Sequence, residues 1–155
     1  HGAMRIKNLD KLAPVQKRRY ALHGVIAENG NGKPVVLVLV HAGDHNANWR
    51  NAINKIDANG AGEVNGEEWM RSRIAPLAKY VIVDWENAFD DNGKPEPYTP
   101  AAGEKLLTDL LEVDPQTKKP RGGDIVYRVL MYAIDPTNFR DTLDDGGVAE
   151  RLGKE

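Results

Sequence analysis

Cysteine is absent from this 155-residue chain. That excludes disulfides and thiolate metal sites, and it agrees with a reducing compartment. No sign of charge prevails, since 21 Lys and Arg stand against 23 Asp and Glu for a formal net charge of −2. No broad basic field therefore selects nucleic acid or an anionic membrane surface as a partner. Long apolar runs are missing as well. None approaches the roughly 20 residues of a membrane span, and no signal-peptide h-region is seen at the N-terminus. These absences lead us to expect a soluble cytosolic domain.

What is present suits one globular domain, with 41% hydrophobic and 28% charged residues. At this length folding buries roughly 70% of the unfolded surface, enough for a real core. Residues 1–3, His1-Gly2-Ala3 ahead of Met4, read as an expression scar. Residues 4–143 read as a single globular domain and the Gly-rich polar residues 144–155 as a flexible C-terminal tail.

Tyr20 to Ala27 reads as a short strand, and Glu28 to Lys33 is Asn-Gly turn chemistry. Pro34 leads into VVLVLV, a β-branched run bounded by breakers, so the pair predicts a β-hairpin. Trp49, Ala52, Ile53 and Ile56 fall at helical spacing, with Asp44 or Asn46 as the cap. A short helix is expected over Glu67 to Arg73. From Ile74 to Phe89 the apolar residues follow an i, i+3, i+4 pattern that predicts a helix, against the β-branching of YVIV. Thr99 with Pro100 is a helix start, followed by a Leu-lined face at 106, 107, 110 and 111. Asp124 caps another helix, and Asp135-Pro136 starts a last short one through Phe139 and Leu143. The expected fold is α+β: an N-terminal β-hairpin packed on a mainly helical domain of about five helices.

Candidate sites each have a plainer reading beside them. Asp57 to Glu68 resembles a twelve-residue EF-hand calcium loop, with Asp57, Asn59 and Glu68 at positions one, three and twelve and Gly62 at position six. Against it, Ala61 removes a ligand at position five, and Ser72, Arg73 and Pro76 stand where the exit helix needs apolar residues. The plainer reading is a polar Asn-Gly loop. His41, Asp44 and His45 form an H-x-x-D-H cluster, but Ala42 stands where a zinc peptidase has its Glu and Gly43 opposes a helix. Gly30 to Lys33, followed by Pro34, lacks the Ser or Thr of a phosphate loop. Lys17, Arg18 and Arg19 read as a solvated basic cluster, and Asp84, Glu86, Asp90 and Asp91 as solvated acids. Trp85 reads as core, or as an interface anchor if exposed. No nucleophile, base and orienting group assemble, so no catalytic, cofactor or metal residue is assigned and no enzyme activity is expected.

Three segments together resemble the tail assembly chaperones of long-tailed bacteriophages and prophages. They are LVLVHAGDHNANWRNAINK, then LAKYVIVDWENAFDDNGKPEPYTPAAGEKLLTDL, then DPTNFR. The resemblance spans roughly residues 35 to 140 and leaves the 57–68 loop outside the shared pattern. It implies a non-enzymatic protein of the host cytoplasm that binds the phage tape measure protein and assists assembly of the tail tube protein around it. It implies neither nucleic-acid nor membrane binding, and a homo-oligomer is compatible with it. The expected partner surface is the helices around Leu106 to Leu111 and Val129 to Ile134. The alternatives are a calcium-binding protein using residues 57–68, and a structural tail or connector protein retained in the virion.

Overall fold

The computed structural model describes residues 16–140; the scar at 1–3 and the tail at 144–155 lie outside them. The hairpin forms as expected, from β1 (Arg18–Ile26) and β2 (Pro34–Leu39). Its turn is held by Asn31, whose Oδ1 accepts the N–H of Lys33 at 3.1 Å, and by Gly32 at a φ of 77° that favours glycine. The strands pair antiparallel from Arg18 opposite Leu39 to Ile26 opposite Pro34, with a register shift between Ala21 and Ile26. Gly24, at a φ of 88°, lies in that irregular stretch and gives the strand its bulge.

A third strand joins this hairpin, and it corrects the helix expected over 74 to 89. The chain instead forms α3 (Ile74–Tyr80) and then β3 (Ile82–Glu86), which pairs antiparallel with β2 and makes it central. Helical spacing holds through Leu77, Ala78 and Val81, all buried. Beyond Tyr80 the backbone has a better partner, because Val40 donates its N–H to the Val81 carbonyl at 2.9 Å. Leu37 then pairs with Trp85 and Val38 with Asp84. Here tertiary ladder bonds and β-branching overrule the 3.6-residue period.

Helix α1 (Ala47–Ala58) starts at Asn46, whose Oδ1 accepts the N–H of Trp49. The amide of the same side chain donates to the Tyr80 carbonyl at 3.0 Å, covering an open carbonyl at the end of α3. Helix α2 (Glu67–Ser72) is short. Helix α4 (Pro100–Leu111) begins as the sequence predicts, with Thr99 Oγ1 accepting from Ala102 N at 3.1 Å and Pro100 at the first helical position. Helix α5 (Ile125–Ile134) follows Asp124, which pairs with Arg128 and makes no cap bond to the helix N-terminus. A 3₁₀ turn at Pro136–Phe139 closes the described chain, with Asp135 Oδ1 accepting from Thr137 N.

The fold is therefore α+β, with the sheet and helices sharing one core. Leu22, Leu37 and Leu39 meet Leu77 and Val81 of the α3 segment, Leu107 of α4, Val129 and Leu130 of α5, and Phe139. Each is at most 1% exposed. Burying such a side chain contributes roughly 1.5–3 kcal/mol, so this cluster is the main source of stability.

Candidate functional site

Two loops and one helix build a groove at the far end of the hairpin. The hairpin turn is tied to the loop after β3: Asn31 Nδ2 donates to Asn87 Oδ1 at 3.0 Å, and Asn29 Nδ2 to the Asp91 carbonyl at 2.9 Å. Asn87 in turn donates to the Pro34 carbonyl. Phe89 lies so close over Gly30 that a Cβ there would meet its ring at 2.5 Å. Glycine at 30 thus lets the aromatic ring seat against the hairpin.

The loop is itself ordered by Asp90. Its Oδ1 accepts the N–H groups of Asn92 and Lys94 at 2.9 and 3.0 Å, and Gly93 takes a φ of 76°. The returning strand meets Phe89 at Pro95, and the Glu96 carbonyl accepts the Trp85 indole N–H at 2.7 Å. Trp85 stacks edge-on against Tyr98, with ring centroids 5.0 Å apart. Its ring is half-buried, neither core nor fully exposed.

Helix α4 supplies the facing wall with Ala102, Lys105 and Leu106. Between it and the hairpin end lies a groove of about 470 Å³ floored by Val25, Ile26, Trp85, Phe89 and Leu106. That volume falls within the roughly 300–1,000 Å³ of ligand clefts. Ile26 is 51% exposed, an apolar side chain turned to solvent beside the groove by the β1 bulge. A second hollow lies along the same stretch of β1, bounded by Leu110, Gly122 and Ile125.

The residues singled out from the sequence go elsewhere. Asp57 closes α1 and both its oxygens accept from Arg73 Nη2, at 2.8 and 3.1 Å. Arg73 is 4% exposed, lies over the Trp69 ring at 4.1 Å, and donates to the Trp69 carbonyl. The arginine that spoils the EF-hand pattern is thus itself the cation at position one. Ala61 is buried, and among the described residues no three His, Asp or Glu side chains gather as a metal-binding group.

His41 and His45 do come together, stacked at 4.9 Å. The His41 Nε2–H donates to the Ile134 carbonyl at 2.9 Å, and its ring packs on Phe139. Because a carbonyl only accepts, Nε2 carries the proton and Nδ1 is left buried without a hydrogen-bond partner. Burial holds the His41 pKa below the usual imidazole value. Gly43 explains the close fit, since a Cβ there would strike the His41 ring.

The basic cluster is partly structural. Arg18 donates to the carbonyls of Asn138 and Arg140, and Arg19 pairs with Glu86 through two bonds of 2.8 and 2.7 Å. Asp84 accepts from the N–H of Trp85. Of the expected partner surface, Leu107, Leu111, Val129, Leu130 and Ala133 are buried core, while Leu106 and Leu110 are half-buried and border the two hollows.

The family model described as YdaY prophage protein matches residues 42–141, more than half of the chain. The chain belongs to the YdaY prophage protein family. No curated protein and no solved structure matches it. The YdaY match covers the helices, β3 and the 3₁₀ turn, and begins just after β2. It therefore takes in Trp85, Phe89 and Leu106 of the groove and excludes Val25 and Ile26.

Among the described residues no helix is long and apolar enough to cross a membrane. Sequence reasoning missed the groove because its walls come from three segments far apart in the chain. Two signals point toward it: the interface-anchor reading of Trp85 and the expected partner surface at Leu106.

Proposed function

We propose that this prophage protein is a non-enzymatic tail assembly chaperone that binds the phage tape measure protein and assists tail tube assembly in the host cytoplasm. The observation that carries the proposal is the groove at the hairpin end, which sets half-buried Trp85 and exposed Ile26 beside a helix. A tape measure chain presents long helical apolar stripes, and such stripes aggregate unless covered. Helix-in-groove packing covers them through anchors at i, i+3 and i+4. Aromatic residues such as Trp85 are the usual source of binding energy at such surfaces. The role requires neither nucleic acid nor membrane, in keeping with the balanced charge.

Co-expression with the tape measure protein of the same prophage is the test. The expected result is a soluble complex and a rise in the soluble fraction of the tape measure protein. Failure of the two to associate would refute the proposal. Mass spectrometry of purified particles separates a chaperone, absent from the virion, from a structural tail or connector protein retained in it.

A further inference from the structure

The rim of the groove is charged, and its net charge is negative. Asp90, Asp91, Glu96 and Asp109 line it against a single cation, Lys105. Lys105 is already engaged with Asp109, at 2.8 Å. Asp109 is the main cause of its raised pKa, followed by Glu112 and Asp91. Asp90 is held by backbone N–H groups of its own turn, which leave its charge in place. Among the described residues neither Asp91 nor Glu96 forms an ion pair. Apolar side chains beside a net excess of carboxylates make a recognition surface with a defined complement.

We propose that the groove takes a basic amphipathic helix, a partner segment whose apolar stripe fills the floor and whose flanking Lys or Arg side chains meet the rim. This rests on the docking role proposed above and specifies the chemistry of the partner. A phosphate-bearing partner is opposed by the same carboxylates. A second copy docking groove to groove would bring acidic rim against acidic rim, which opposes self-association through this face. Rim charges act chiefly on encounter and selectivity, while the apolar anchors supply most of the affinity.

The test uses two synthetic helical peptides of about 20 residues, long enough at about 1.5 Å per residue to cross the groove. Both carry the same Leu stripe; one has Lys and the other Glu on the polar face. Titration calorimetry at about 20 mM salt is expected to show the Lys peptide binding at least about tenfold tighter, a difference that shrinks as salt is raised. Asp91→Asn with Glu96→Gln should lower that ratio and retain binding. Ile26→Asn, which removes the apolar contact without adding charge, should weaken binding of the Lys peptide about tenfold or more, and since Ile26 is half exposed the fold should survive, as circular dichroism will show. The Trp85 indole N–H resonance should shift on binding in the unmodified chain.

Equal affinity for the two peptides overturns the inference. So does binding of neither, or binding that leaves the Trp85 resonance and the Ile26→Asn variant unaffected. Selective Lys-peptide binding in the groove without capture of the tape measure protein would leave this inference standing and remove the chaperone reading. Capture undiminished by Ile26→Asn would do the reverse.

Discussion

Replacing Gly103 by Ala sets two effects of opposite sign against each other. Gly103 lies buried within α4, where Ala is ordinarily the better residue by about 1 kcal/mol. Here a Cβ would stand 2.3 Å from the Tyr98 hydroxyl oxygen and 2.7 and 2.8 Å from two ring carbons. The ring must therefore move. That hydroxyl donates to the carbonyl of Ala78, one of the open carbonyls in the last turn of α3. Losing the bond leaves a poorly solvated acceptor, at about 1–3 kcal/mol. The edge-on contact with Trp85 contributes about another 0.5–1.5 kcal/mol. The collision outweighs the propensity, so Gly103→Ala should destabilise by about 1–3 kcal/mol. Urea unfolding followed by tryptophan fluorescence measures this, with an unchanged denaturant slope as the check on two-state behaviour. In a Tyr98→Leu background the ring atoms are gone, and the same substitution should become neutral or stabilising. A Gly103→Ala variant as stable as the parent, or a cost that persists in the Tyr98→Leu background, would refute the account.

The remaining predictions concern the two sites that resembled metal centres. Arg73→Leu leaves Asp57 half exposed and able to hydrate, whereas Asp57→Asn leaves a buried guanidinium without its counter-charge. The Asn variant should lose about 1–3 kcal/mol, discounted from the value for a fully buried pair because Asp57 is 52% exposed, and thermal or urea unfolding will show it. With Asp57 held by Arg73, an amide NMR titration with calcium should show no saturable shift at Gly62, and a micromolar-range transition there would restore the calcium-binding alternative. For His41 the folded pKa lies below the unfolded value of about 6.5, so the unfolded state takes up the proton first. Stability should therefore fall as pH drops below about 6.5 and level off beneath the folded pKa. A His41→Gln variant should lack this phase and keep the separate acid loss from Asp135, whose pKa is lowered by the Thr137 hydroxyl and N–H.

The parts of the fold set by local chemistry were legible in the sequence. The hairpin turn, the Asn46 and Thr99 caps, and the helix starts at Pro100 and Asp135-Pro136 are decided within a few residues, and each stands as read. Ile74 to Phe89 was misread as one helix because α3 and β3 bury residues whose spacing happens to run on at helical intervals. Only the β2 ladder, supplied from more than 40 positions away, decides where the helix stops. Arg73 shows the same limit. Its type counted against an apolar exit helix, but nothing nearby in sequence revealed that Asp57 and Trp69 would enclose it.

The groove belongs to this second kind of feature, which bears on how the family region works. The YdaY match supplies the Trp85 wall, the Phe89 loop and α4, yet among the described residues β3 within it pairs only with β2, which precedes the match. Phe89 is seated on Gly30, and Asn87 is bonded to Asn31 and Pro34, all in the hairpin. Removing the hairpin would strip β3 of its ladder and Phe89 of its seat together. The hairpin also contributes Ile26, the most exposed apolar side chain of the groove. The acidic rim, by contrast, comes entirely from residues 90 to 109 within the match. Charge preference should therefore follow the family region, while affinity should follow what the hairpin places on the floor.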